Sequence, residues 1–530
     1  MKKLPVGIQN FSEIIEGGYV YADKTQYVHR LLNDAKYYFL SRPRRFGKSL
    51  LLDTIAEAFG GDKELFKGLY IYDSDHSFEK HPVLRFDMSN IANDKPEILR
   101  GSLVTELRKR AEYEDLDVLG DVPSDIFKSM IEALHNKYNK KVVVLIDEYD
   151  KPILDRLSSI ETAEANRDVL RGFYGILKSM DQHLRFTFIT GITKFTKTSV
   201  FSGLNNLRDI TMSREYANIC GIGTEDLSRY FGEHINGLAS HDEFLRHNDI
   251  HGEILAWYDG YSWDGKNRVI NPFSLLSFFA DKRFSSFWYA SGTPKFLIDL
   301  IKEKPKGYTG LKNLEMGEWS LDTFDIQRIE AEPLLFQTGY LTVKEVLPDT
   351  VPSLYLLDIP NFEVRMAFNL HILAEFTESG ASTAESAYHR IKKSLKTGDL
   401  TIMLETMRAL FASIPYQLHI KKEAYYHSIF HAIISLYGFD VLAEVSVAGG
   451  RVDAVLELED NAYIIEFKYV DCPPEITADE KRALFDRALH DGMKQINEKG
   501  YANKFEGCGK KVHKAVFAFL GKDDIEMIVC

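Results

Sequence analysis

Cysteine is scarce in this chain, long apolar runs are missing, and positive charge is in deficit. Its four cysteines, Cys220, Cys472, Cys508 and Cys530, are scattered without a C-x-x-C pair, so neither a zinc ribbon nor a disulfide framework is indicated. No stretch reaches the roughly 18 uninterrupted apolar residues of a spanning helix. The opening MKKLPVGIQNFSEII has neither the apolar segment nor the small-residue cleavage site of a signal peptide. A cytoplasmic protein away from membranes is expected. With a formal charge of −13 the chain does not coat nucleic acid through its net field, so any such binding needs a local basic groove. Internal repeats and low-complexity tracts are absent, which excludes solenoids and disordered linkers.

What is present is ordinary globular composition, 45% hydrophobic and 27% charged over 530 residues. That is longer than one core organises and suggests three or four units. Residues 1–220 alternate helical patterns with the β-rich runs AKYYFLS, HPVLRFDMS, KVVVLIDE, RFTFITGI and RDITMS, the pattern of a doubly wound α/β domain with a mainly parallel sheet. The run VVVLI is apolar on both faces, as a strand buried between helix layers should be. Residues 221–300 read as a small helical lid, with GTEDLSRYFGEHI and NPFSLLSFF as helix starts. Residues 301–400 give a helix, a hairpin and a further helix, compatible with a winged-helix-like connector. Residues 401–530 read helix, paired strands, long helix, strand, an α/β/α plan.

The first constellation is SRPRRFGKSLLLDTI, Ser41 to Ile55. It ends as a phosphate-binding loop should, in Gly47-Lys48-Ser49 leading into an apolar helix from Leu50, although Arg42 stands where the usual pattern has its first glycine. Backbone N–H groups at a helix N-terminus would cradle phosphates, Lys48 would reach the terminal ones, and the Ser49 hydroxyl would hold Mg²⁺. A GK[ST] tripeptide is also read as a basic turn with a helix cap. VVVLIDEYD supplies the missing partner: Asp147 and Glu148 at the C-terminal edge of a buried strand, where such sheets bind ligands. Asp147 suits the magnesium shell and Glu148 the attacking water. Thr190 and Thr193 near the end of RFTFITGITKF are either γ-phosphate sensors or an ordinary threonine-rich strand end.

The second constellation is Asp453 in GRVDAVLEL, with Glu466 and Lys468 in YIIEFKYV. A strand puts residues i and i+2 on one face, so Glu466 and Lys468 project together, and Asp453 lies on the preceding strand across a short turn. Metal-dependent phosphodiester cleavage needs carboxylates for Mg²⁺ or Mn²⁺ and a cation near the attacking water. An E-x-K pair alone is more often a solvated strand face. Residues 421–530 hold 19 Asp/Glu against 14 Lys/Arg. Attraction for a phosphate backbone therefore falls to the ion and to Lys421, Lys422, Arg451, Lys468, Lys494 and Lys499. His427 and His431 share a helical face at i,i+4, but no third ligand follows and core or surface histidines fit better.

RPRRFGKSLL, VVVLIDEYD, FITGITKFTKTSVFSGLNNLRDITM, WYDGYSW with NPFSLL, and LLFQTGYLTV together resemble the bacterial AAA-ATPase-like family that bears a C-terminal domain of the PD-(D/E)XK nuclease superfamily. The resemblance spans nearly the whole chain, and it implies ATP as the nucleotide. RPRRFGKS is shared with that family, so Arg42, Arg44 and Arg45 either fold the loop differently or neutralise phosphate charge. The loop from Arg42 through Arg44, Arg45, Phe46, Gly47, Lys48, Ser49 and Leu50 is then the nucleotide-binding segment. Arg208 and Arg214 are either arginine fingers or solvated surface residues. In the nuclease superfamily a glutamine on the following helix supports the site, which matches Gln495 with Tyr501. An acid from the first helix often reaches the metal, which matches Glu423. The resemblance implies an ATPase coupled to a nuclease, with nucleic acid, most readily DNA, as partner, and a homo-oligomer is compatible with it. The alternative is a nucleotide-dependent switch or scaffold whose C-terminal domain binds a partner without cleaving.

Overall fold

The computed structural model describes residues 1–195, 200–201, 204, 206–238, 249–288, 311, 313–321, 325–327, 329–348, 351–377, 381–412, 442–447, 450–458, 460–470, 476–498, 502, 505, 509–520 and 524–530. They fall into two compact units. One holds Met1–Ala290 and Asn313–Asn361, and the other includes Phe362–Cys530. No described helix is long and apolar enough to cross a membrane.

The first unit is built on five parallel strands: β1 (Tyr37–Ser41), β2 (Val83–Asp87), β3 (Val142–Asp147), β4 (Leu184–Gly191) and β5 (Arg208–Asp209), in the order β2-β3-β4-β1-β5. Every residue of β1 and β3 is buried, which is why both read as continuous apolar runs rather than alternating ones. The chain runs one way along the sheet from β1 to β2 and then back, so right-handed crossovers put helices on both faces. The rings agree. Phe59 of the helix Lys48–Gly60 meets Phe186, and Phe86, on the opposite face, meets Phe127 and Phe173 of the helices Pro123–Tyr138 and Ile160–Ser179. The register sets Ser41 beside Gly191 and Asp87 beside Asp147, so all these polar strand ends share one sheet edge.

The helices Thr224–Leu238, Ile250–Tyr258 and Pro272–Asp281 enclose their own core of Leu227, Phe231, Ile254, Tyr258, Leu275 and Phe278. Asn271 caps the last of them through Phe273 N (3.0 Å) and Ser274 N (3.2 Å), with Pro272 in its first turn, the arrangement that NPFSLL suggests. Short strands β6 (Ile222–Gly223) and β7 (Val269–Ile270) pair antiparallel beneath them. The helix Ala331–Thr338 precedes the hairpin of β9 (Thr342–Leu347) and β10 (Leu354–Asp358), to which β8 (Leu314–Gly317) adds a third antiparallel strand. Residues 313–361 pack with the first unit.

The second unit carries a mixed sheet, β11 (Leu442–Val447), β12 (Gly450–Glu457), β13 (Asn461–Val470), β14 (Lys511–Leu520) and β15 (Asp524–Val529), in sequence order. Only β13 and β14 are parallel, and the helix Ala478–Glu498 makes the crossover. That helix buries Phe485, Leu489, Met493 and Ile496 against Ile464, Val516 and Ala518. On the other face Tyr463 Oη donates to Leu395 O (2.7 Å) and Phe411 packs on Phe519, so the helices Ala381–Thr397 and Leu400–Ala412 complete an α/β/α sandwich. Gly492 lets the crossover helix lie close to the sheet, since a Cβ there would be 2.5 Å from Val516 Cγ1. Gly492→Ala should destabilise this unit by about 1–3 kcal/mol through overpacking. Faster hydrogen exchange of the helix 478–498 amides, largely reversed by a second change Val516→Ala, is the expected result.

Candidate functional site

The phosphate loop links β1 to the helix Lys48–Gly60. Gly47 caps that helix at φ 88°, and Arg45 is also left-handed, at φ 67°. Arg45 is steadied there, its guanidinium 3.9 Å from the Phe273 ring and donating to Phe287 O at 3.2 Å. Arg42 is not among the left-handed residues, and its N–H donates to Gly191 O at 3.1 Å. A backbone of that shape has no need of glycine.

The Arg42 side chain turns under the loop and is fully buried. Nη1 donates to Ser41 O and Thr211 O, both at 2.9 Å, and Nη2 to Tyr216 O at 3.4 Å. The face of Trp263 lies 3.8 Å from the guanidinium. Burial pulls its pKa down to about 10, so it stays charged at neutral pH. Of the two readings of this arginine, the geometry matches the one in which it folds the loop. Phe46 is buried as well, edge-on to Tyr261 at 4.7 Å and to Trp263 at 5.6 Å. Gly339, left-handed at φ 93°, lies under Pro43, where a Cβ would be 2.9 Å from the proline ring. WYDGYSW and LLFQTGYLTV thus form the shelf on which RPRRFGKS rests. Sequence reasoning missed Trp263 and Gly339, and nothing in their spacing from the loop signals the contact.

Lys48 is buried, its Nζ donating to Arg42 O and Pro43 O at 3.0 Å each. Ser49 Oγ donates to Asp147 Oδ2 at 2.6 Å, while Asp147 Oδ1 accepts the Glu148 N–H at 3.0 Å. Leu50, in the first turn of the helix, is half-buried. Glu148 is left-handed at φ 48°. Burial raises its pKa above the ordinary carboxylate value, opposed by Lys48 and Arg44 and assisted by Asp147 and Asp150. Arg44 is exposed. Lys48, Ser49, Asp147, Glu148 and Arg44 are thereby gathered at one sheet edge. Both threonine side chains are buried and hydrogen-bonded within the unit, Thr190 Oγ1 donating to Leu40 O (2.8 Å) and Thr193 Oγ1 to Asp150 Oδ2 (2.6 Å). Arg208 is ion-paired with Asp34 and, at 3.5 Å, with Glu215, and Arg214 is exposed.

In the second unit β12 and β13 pair through Ala454 and Ile465. At the next position the Asp453 carboxylate takes the place of a strand partner, accepting the Phe467 N–H at 2.8 Å. Glu466 is buried, and Lys468 Nζ donates to Glu466 Oε1 at 3.0 Å and to Gln495 Oε1 at 2.8 Å. Asp453, Glu466, Lys468 and Gln495 therefore come together. Among the described residues no group of three or more His, Cys, Asp or Glu is set to hold a metal, so the described carboxylates of this site are the pair Asp453 and Glu466. Glu423, His427, His431 and Tyr501 lie outside the described residues.

Comparison with known proteins matches both halves. A family model described as predicted AAA-ATPase covers residues 5–201, and one for the PD-(D/E)XK nuclease superfamily covers residues 421–527. An uncharacterized protein in the vnfD 5' region of Azotobacter chroococcum mcd 1 is 36% identical over 518 residues, 97% of this chain and 95% of the relative. The fold is a P-loop-like α/β unit joined in one chain to a unit of the PD-(D/E)XK nuclease superfamily. The chain belongs to the AAA-ATPase-like family with a C-terminal PD-(D/E)XK nuclease superfamily domain. Restoring the standard glycine tests the loop's construction. Arg42→Gly should lower the melting temperature and weaken ATP·Mg binding about tenfold or more, because it leaves buried carbonyls without donors. Differential scanning calorimetry and titration calorimetry read the two effects.

Proposed function

We propose that the chain binds and hydrolyses ATP and that its C-terminal unit cleaves phosphodiester bonds in nucleic acid, DNA foremost, in a metal-dependent reaction. The observation that carries the reading is Lys468 held between Glu466 and Gln495 beside the Asp453 carboxylate. A solvated strand face has no reason to bury the glutamate and tether the lysine.

In the ATP site the Lys48 ammonium exchanges its hold on the Arg42 and Pro43 carbonyls for the β- and γ-phosphate oxygens. Ser49 and Asp147, already in contact, are the pair that would hold Mg²⁺, and Arg44 adds exposed positive charge beside Glu148. Glu148 orients the attacking water and accepts its proton, a task that its raised pKa suits. In the nuclease site Asp453 and Glu466 would hold Mg²⁺ or Mn²⁺. A divalent ion bound there supplies Lewis-acid stabilisation of the phosphoryl oxygens. Lys468 positions the nucleophile and counters the charge developing on the phosphorane, and Gln495 fixes the direction of its ammonium.

Glu148→Gln should keep ATP·Mg affinity while hydrolysis falls at least about a hundredfold, and Lys48→Ala should lose nucleotide binding itself. Steady-state phosphate release with titration calorimetry separates the two.

In the second unit Asp453→Ala should lose both Mn²⁺ binding and cleavage. Lys468→Ala should bind Mn²⁺ yet cut at least about a hundredfold more slowly. Neither change should alter ATP hydrolysis without nucleic acid, because every residue of the ATP site belongs to the first unit. If the parent chain leaves DNA and RNA intact with Mg²⁺ or Mn²⁺ and ATP, the switch reading takes the place of the nuclease.

A further inference from the structure

The acidic strand end contains a third carboxylate that the reaction above does not use. Asp150 is fully buried, next to no bulk water, and points at the end of β4. Its Oδ2 accepts the Ile192 N–H at 3.0 Å, the Thr193 N–H at 2.6 Å and the Thr193 hydroxyl at 2.6 Å. Gly191 makes room for it, since a Cβ there would be 2.4 Å from Asp150 Oδ1 and 2.6 Å from the Tyr149 ring. Tyr149 is pinned to the same strand end. Its N–H donates to Thr190 O (3.1 Å), its hydroxyl donates to Thr193 O (3.0 Å) and accepts the Phe195 N–H (3.3 Å), and its carbonyl accepts the Tyr174 hydroxyl (3.1 Å).

Glu148 is the single residue between two anchored ones. Before it, Asp147 is held by Ser49, and after it, Tyr149 and Asp150 are held by β4. A tight turn closes over it, the Lys151 N–H reaching Glu148 O at 3.0 Å. Left-handed backbone is unfavourable for a non-glycine residue, so it persists only where its surroundings impose it. The anchors on either side impose it here. A buried carboxylate with three donors is also a strong clamp, since charge-assisted hydrogen bonds are about twice as strong as neutral ones.

We infer that Asp150, through Thr193 and the end of β4, is the positioning residue that sets the direction of the Glu148 carboxylate for ATP hydrolysis. The inference rests on the reading of Glu148 as general base. Asp150 touches no substrate atom; its effect passes through the backbone of the Glu148 turn. Loss of the clamp lets that turn relax toward ordinary φ and swings Glu148 away from the water, while the phosphate loop, tied to Asp147 by Ser49, stays as it is. The expected signature is a fall in kcat with nucleotide affinity preserved.

The test uses the full chain with ATP·Mg, comparing Asp150→Asn, Thr193→Val and Thr193→Ser with the parent and with Glu148→Gln. Asp150→Asn should lower kcat about tenfold or more with KM and Kd within about twofold, Thr193→Val should do the same to a smaller degree, and Thr193→Ser, which keeps the hydroxyl, should restore parent kcat. A structural role alone would lower melting temperature, affinity and kcat in step in both Asp150→Asn and Thr193→Val. That pattern overturns the inference, as does an Asp150→Asn protein with parent kcat. If Glu148→Gln is inactive while Asp150→Asn is fully active, the positioning role fails and the general base stands. Equal hydrolysis by the parent and Glu148→Gln, or none by the parent, overturns both.

Discussion

A charged guanidinium buried beneath the phosphate loop is the constraint on which the first unit is built. Arg42 occupies the place of a glycine, yet its value to the fold is the opposite of a glycine's freedom. Its two Nη groups donate to three backbone carbonyls and its face lies on Trp263, while Nε is buried without a hydrogen-bond partner among the described residues. An arginine that far from water is costly unless its hydrogen-bonding capacity and charge are met, and a desolvated cation–π contact contributes about 2 kcal/mol toward meeting them. The requirement explains why the loop needs its neighbours. Thr211 follows β5, Trp263 belongs to the helical segment, and Gly339 closes over Pro43. The loop's shape is enforced from outside, where a glycine-rich loop would rely on its own backbone.

The second unit assembles its candidate site through a different device. β12 and β13 stop exchanging backbone hydrogen bonds just where Asp453 begins, and the aspartate carboxylate takes the vacated N–H. A strand end that opens in this way presents its carboxylate beside the face that carries Glu466 and Lys468. The crossover helix, drawn close at Gly492, brings Gln495 to the same face. The first unit makes its candidate site from strand ends and the helix after the loop, the second from the paired strands β12 and β13 and the crossover helix.

Much of this was legible before any coordinates. The five β-rich runs of the first unit all form strands, and β1 and β3, buried at every residue, carry the uninterrupted apolar signature of a strand between helix layers. Glu466 and Lys468 share a face because strand geometry allows nothing else. The fate of Arg42 was not legible. One arginine in the run RPRR reads equally as a phosphate ligand or a loop former, and its partner Trp263 lies far along the chain. Thr190 and Thr193 read equally as sensors or strand-end threonines, and their acceptors, Leu40 O and Asp150, lie in segments that no spacing in the sequence connects to them. Asp150, in the same run VVVLIDEYD, was not singled out by the sequence. What sets it apart is its partners, the Ile192 and Thr193 N–H groups and the Thr193 hydroxyl just past β4.

The proposed function requires one chain to carry two places able to hold a divalent ion, one at a nucleotide and one at a phosphodiester. Anomalous diffraction from crystals of the full chain grown with Mn²⁺ and a non-hydrolysable ATP analogue tests it most directly. One peak should appear between Ser49 and Asp147 against the triphosphate, and another between Asp453 and Glu466. A map with nucleotide and metal at Asp147 but no peak at Asp453 would contradict the second site, and a map with neither would contradict the account as a whole.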